Sequence, residues 1–135
     1  MFIGHYGIGL AAKNVARRPS LGTLFLAAQF IDLLWPVFLL LGIEQVEIIA
    51  GDTKVTPLHF SYYPYSHSLF MVLIYGVVFA TLYYLLRKNW KGALILAILV
   101  LSHWILDLIT HRSDLKYIFF YSHNKKVFAL HIQNY

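Results

Sequence analysis

The chain contains no cysteine. Disulfides and thiolate metal sites are therefore excluded, and any metal site must use His, Asp or Glu. Charge is scarce too. Asp, Glu, Lys and Arg make up 13% of the 135 residues, against about 25% in an average globular domain. Hydrophobic residues reach 59% and mean hydropathy is +0.64, which argues against a soluble globular domain and for a membrane protein. No basic segment precedes the first apolar residues and no small-residue cleavage site follows them, so no cleavable signal peptide is expected and the N-terminus should be retained. Internal repeats and low-complexity tracts are also missing. The length suits one membrane-embedded domain, residues 1–135, with a core over 1–111 and a tail over 112–135.

What is present is a set of long apolar runs. Residues 21–43 carry a single charge, Asp32; residues 68–86 carry none; residues 92–110 form a third run. Each is long enough to cross a bilayer as a helix. Residues 2–16 look helical but are too short to span, so they read as a half-helix packed on the bundle. Its glycines, Gly4, Gly7 and Gly9, permit close packing. The expected fold is an all-α integral membrane bundle of about three spanning helices plus this N-terminal half-helix. Pro36 should kink the first span one turn beyond Asp32. In the loop over 44–65, Gly51-Asp52 lies between Val46-Glu47-Ile48-Ile49 and Lys54-Val55-Thr56, a pattern that permits a short hairpin. Phe60, Tyr62, Tyr63 and Tyr65 fit an interfacial aromatic belt.

The net charge of +5 does not indicate a nucleic-acid partner, because the basic residues sit at the ends of apolar runs rather than on one water-facing surface. Lys13, Arg17 and Arg18 mark one cytoplasmic turn, and Arg87, Lys88 and Lys91 the other. The loop over 44–65, with three acids and one lysine, then lies outside. The tail, with four basic residues and one acid, would lie outside as well and breaks the rule.

Polar residues within the apolar runs carry the chemistry. In Ser102–His111, His103, Asp107 and His111 recur every four residues and share one helix face. Imidazole nitrogen and carboxylate oxygen are ligands for zinc and related divalent ions. At about 1.5 Å of rise per residue, His5, Asp32, His103 and Asp107 lie roughly 18, 21, 18 and 24 Å above their cytoplasmic turns. They can share one layer in the outer half of the bilayer. His67 and His111 come out higher, near roughly 30 Å. His67 joins the layer if its helix tilts or starts lower, whereas His111 moves to the rim.

Plainer readings stand beside these. His103 could bond a backbone carbonyl, and Asp32 could be an ion-pair or proton-relay acid, although no Lys or Arg lies at its depth. His67 could belong to a helix cap, His5 could fray, and His111 could pair with Asp114. His59, His123 and His131 are expected to be exposed.

Gly4-His5, Phe-Ile-Asp at 30–32, Tyr-Ser-His-Ser at 65–68 and Ser-His-Trp-Ile-Leu-Asp at 102–107 together resemble a bacterial family. It is the membrane-bound metal-dependent hydrolases, also catalogued as LexA-binding inner-membrane-associated hydrolases. The resemblance covers about residues 3–111. It implies a multi-pass protein of the bacterial inner membrane with a divalent-metal site, and is more remotely similar to zinc-dependent phospholipases C. Members that look most alike continue into further helices, whereas this chain turns basic and aromatic after Asp114.

The resulting expectation is a hydrolase of a membrane-embedded or membrane-adjacent ester or phosphoester. His5, Asp32, His67, His103 and Asp107 would hold a divalent metal, with zinc the first choice. Asp32 or Asp107 would serve as catalytic base, and Tyr63, Tyr65 and His111 would line substrate access. The partners are the bilayer and a lipid-like substrate. The alternatives are a metal-ion or proton transporter component and a non-catalytic small membrane protein.

Overall fold

A computed structural model gives the architecture and describes residues 2–48, 58–62 and 65–110. Four helices follow in order: α1 Phe2–Ala12, α2 Leu21–Leu40, α3 Leu69–Arg87 and α4 Trp90–Thr110. Two strands, β1 Gln45–Ile48 and β2 Leu58–Tyr62, pair antiparallel between α2 and α3. The fold is the expected helical bundle with this small ribbon added. Helices α2, α3 and α4 are long and apolar enough to cross a membrane; 20 residues of helix rise about 30 Å, the thickness of a hydrocarbon core. The outward face of α3 exposes Leu73, Val77, Leu82, Leu85 and Leu86. Such a continuous apolar surface is an aggregation liability in water but is matched by lipid.

Local chemistry sets the boundaries. The half-helix α1 stops at Ala12 rather than reaching residue 16, and the turn is closed by Lys13, whose Nζ donates to the carbonyls of Arg17 and Pro19 at 2.9 and 2.7 Å. Ser20 caps α2, its hydroxyl accepting from the Thr23 N–H at 3.1 Å. Helix α2 continues through Pro36. Proline has no N–H, so the Asp32 carbonyl lacks its usual donor four residues on. The helix ends three residues before the expected limit, in a Schellman turn: Gly42 adopts φ +69°, its N–H bonds the Leu39 carbonyl, and the Ile43 N–H bonds that of Phe38. This turn sends Glu44 back toward the bundle. At the other end, α3 and α4 are joined by two residues, Lys88 in the left-handed conformation and Asn89, whose carbonyl accepts from Ala93.

Strand β1 pairs with residues 58–62, Val46 opposite Phe60 and Ile48 opposite Leu58, a segment rich in the aromatic and apolar residues that favour strands. Gly51-Asp52 and Lys54-Val55-Thr56 of the expected hairpin lie outside the described residues. Part of the expected aromatic belt is thus a strand.

Helix α4 is the centre of the bundle. It packs on α3 and on α2, and α1 closes against α2 and α4. Its buried positions, Gly92, Ala93, Leu96, Leu99, Val100, His103, Trp104 and Asp107, follow the three-and-four spacing of one helix face. Of these, Leu96, Leu99, Val100 and Trp104 form one core with Leu24, Ala27, Ala28 and Ile31 of α2 and Val72 of α3. Phe30 bridges α2 to α3, edge-on to Tyr75 and Phe79 at 5.9 and 5.5 Å.

Candidate metal centre

The buried stripe of α4 is apolar through Val100 and then becomes polar. His103 is fully buried and Asp107 nearly so. The His103 Nδ1 lies 2.9 Å from the Ala28 carbonyl of α2. A carbonyl only accepts, so Nδ1 carries the proton, and in the neutral ring Nε2 presents a lone pair. That Nε2 lies 3.2 Å from Asp107 Oδ2 and 3.4 Å from Asp32 Oδ1. It is itself buried.

Asp32 comes from α2, one turn beyond Ala28. The Gln29 amide donates to its Oδ2 at 3.2 Å, leaving Oδ1 for the cluster. The Asp32 side chain keeps 20% exposure, so it lies at the open edge of the site.

His67 precedes α3, whose first turn is capped by Ser68. The Trp104 indole N–H of α4 donates to the His67 carbonyl at 2.8 Å and draws this segment onto α4. The His67 Nε2 lies 4.0 Å from Asp32 Oδ1 and 3.9 Å from Asp107 Oδ2.

His5 arrives on α1. A Cβ on Gly9, one turn along, would lie 2.9 Å from the Phe25 ring and 3.4 Å from the Leu24 carbonyl. Glycine there lets α1 sit close against α2. The His5 ring stacks on His103 with centroids 3.8 Å apart and 15° between planes. Its Nε2 is 3.2 Å from Asp107 Oδ1, while His103 Nε2 lies 3.2 Å from the other oxygen, Oδ2.

Four groups thus converge. One ligand atom each from Asp32, His67, His103 and Asp107 lies within 4.8 Å of the others. A tetrahedral zinc with bonds of about 2.0–2.2 Å places its ligand atoms about 3.3–3.6 Å apart. The His103 separations of 3.2 and 3.4 Å match that edge; those of His67, 3.9 and 4.0 Å, need a closure of about half an ångström. The donor set is two carboxylates and two imidazoles, which suits a borderline divalent ion. Carboxylate oxygens and the His103 lone pair are all acceptors. Packed together in a bundle they repel unless a cation, metal or proton, lies among them.

Of the five expected ligands, Asp32, His67, His103 and Asp107 form this group, and His5 stands beside it on Oδ1 of Asp107. His67, which the depth count let join the layer only if its helix tilts or starts lower, does meet the two carboxylates. Tyr65 is exposed on the loop leading to His67. Tyr63, His111 and the tail over 112–135 lie outside the described residues.

Three contributing groups escaped the sequence reading: Gln29, Ser66 and Glu44. Glu44 is 2% exposed. Its Oε1 accepts from the Tyr65 and Ser66 N–H groups at 2.9 and 2.7 Å, and its Oε2 from the Ser66 hydroxyl at 2.7 Å. Burial pushes its carboxyl above the ordinary value, against the pull of these bonds to Ser66 and Tyr65. Only the Ser-His-Ser neighbourhood hinted at Ser66. Nothing in the spacing linked Glu44 to it across 22 positions.

No protein-family model, curated protein or solved structure matches the chain.

Proposed function

We propose that this protein is a metal-dependent hydrolase of the bacterial inner membrane, acting on a membrane-embedded or membrane-adjacent ester or phosphoester. The observation that carries the proposal is the convergence of Asp32, His67, His103 and Asp107 within 4.8 Å, from three separate parts of the chain. Hydrophobic packing alone does not call for it, since each intramembrane acid costs about 2.5–3.5 kcal/mol on insertion scales. The resemblance of the four motifs to the bacterial metal-dependent hydrolases adds to the reading.

These four residues would hold a divalent ion, with zinc the best match to a His/Asp donor set. Such an ion lowers the pKa of a bound water and polarises the scissile bond. Asp107, nearly buried and flanked by His5 and His103, is suited to holding the ion. Asp32, at the open edge with Oδ2 steadied by Gln29, is suited to taking the proton of an attacking water. Toward the cytoplasmic end the facing surfaces of α2 and α4 are apolar, with Leu24, Ala27, Leu96, Leu99 and Val100 buried. A polar path for ions would have to pass through them, so this packing favours a closed site over a transport route.

The test is elemental analysis of the detergent-purified chain together with phospholipid and phosphodiester hydrolysis assays. We expect about one zinc or similar ion per chain, as for a four-ligand site, and hydrolysis by wild type that Asp32→Asn abolishes. A wild type free of metal and indifferent to chelator sinks the proposal. Metal flux into proteoliposomes without hydrolysis would assign transport instead.

A further inference from the structure

We infer that Glu44 is a positioning residue for the cluster, acting through Ser66 to fix which nitrogen of His67 carries the proton. The inference rests on the proposed metal site for its purpose but not for its geometry. An ionised Glu44 has no proton to give. Its Oε2 lies 2.7 Å from the Ser66 Oγ, so the single hydroxyl proton of Ser66 is committed to it. The same Oγ lies 2.7 Å from His67 Nδ1 and can then only accept. Nδ1 must carry the hydrogen, and in the neutral ring Nε2, which faces Asp32 and Asp107, is left with its lone pair.

His103 reaches the same state by a different route, through the Ala28 carbonyl. In their neutral forms both imidazoles therefore turn the Nε2 lone pair toward the carboxylates. Without the relay, His67 would be free to carry its proton on Nε2 and place it toward Asp32 or Asp107, where the metal belongs. Partners behind a metal-bound histidine commonly set its tautomer in this way.

The rest of Glu44 serves the same end. Its Oε1 gathers two successive N–H groups of the loop, so one carboxylate both fixes the backbone before His67 and orients the hydroxyl. Tyr75 ties the loop from α3, its hydroxyl donating to the Tyr65 carbonyl at 2.8 Å. Full burial of Ser66 and near-complete burial of Glu44 keep water from replacing either bond.

Glu44→Gln separates positioning from mere support. The amide oxygen can still accept the two backbone N–H groups, but the NH2 now donates to Ser66 Oγ. The hydroxyl proton is released toward His67 Nδ1, and the ring hydrogen moves to Nε2. Nitrogen NMR of 15N-histidine-labelled, metal-stripped protein in micelles, taken at a pH where the ring is neutral, reads this directly, with His67→Gln identifying the signal. We expect Nδ1–H in wild type and Nε2–H in Glu44→Gln, with zinc affinity down by about 10–100-fold, the usual effect of losing an outer-shell partner. Ser66→Ala should lose affinity to a similar degree without inverting the ring. An Nε2–H wild type, an unchanged tautomer in Glu44→Gln, or an inverted tautomer with unchanged zinc affinity overturns the inference. The wild-type tautomer is read without metal, so an Nδ1–H ring in a protein that binds no metal would retain the relay while the hydrolase proposal fell.

Discussion

Asp107→Asn tests the cluster most directly, because it changes charge while keeping volume. The Asp32 and Asp107 ligand oxygens lie at most 4.8 Å apart. At an effective dielectric of about 20, two full charges at that distance repel by about 3.5 kcal/mol. A bound dication offsets this, and at a free concentration of 100 times its Kd it stabilises the folded state by about 2.7 kcal/mol. For a chain of this length about 1 kcal/mol corresponds to roughly 4 °C in Tm, so zinc should raise the wild-type Tm by about 10 °C. Loss of an anionic ligand should weaken binding by about 100-fold or more, the upper end of what outer-shell changes cost. At the same zinc concentration the gain then shrinks to about 0.4 kcal/mol, or about 2 °C. Without metal, Asp107→Asn should be no less stable than wild type, because the repulsion has gone and no cavity is left. The assay is thermal unfolding in detergent, with and without chelator. An equal zinc shift in both proteins, or none in wild type with any divalent ion, refutes the reasoning.

His5→Ala should retain stoichiometric metal while His67→Ala and His103→Ala lose it, since His5 stacks on His103 and meets Asp107 Oδ1 but is not among the four converging ligand groups; elemental analysis of the three variants checks this. Gly9→Val should destabilise the chain by about 1–3 kcal/mol, the range for overpacking, because a Cβ there already meets the Phe25 ring at 2.9 Å; thermal unfolding in detergent reads the loss. Glu44 has its pKa raised by burial, so its stabilising contribution is present below the unfolded value of about 4.5 and is lost as pH rises through the folded value. Relative to Glu44→Gln, wild-type Tm should therefore decline as pH is raised above about 4.5, and a constant difference across pH would contradict the burial effect.

The legible and illegible parts of the molecule divide by range. The three long helices were readable because about 20 consecutive apolar residues have few other destinations. His103 and Asp107 were readable as a pair because four residues of helix place them on one face, and that face continues the core stripe of α4. Asp32 was readable because an acid in an apolar span needs a partner. The pairing of β1 with residues 58–62 was not legible, because a partner ten or more positions away leaves no local spacing signal. Whether His67 joined the layer was not legible, because residue count gives no helix tilt, and the Trp104 bond to its carbonyl is a contact across 37 positions.

By itself, then, the sequence determined the spans, the absence of thiolate chemistry, and the presence of His and Asp at comparable depth, all of which follow from composition and helical spacing. Only the tertiary structure decided which of those groups meet. It placed His5 on Oδ1 of Asp107, brought His67 to the two carboxylates, and put Glu44 and Ser66 behind it. Such choices depend on how α1 and the loop fold onto α4, through contacts between residues far apart in the chain. No local periodicity encodes them.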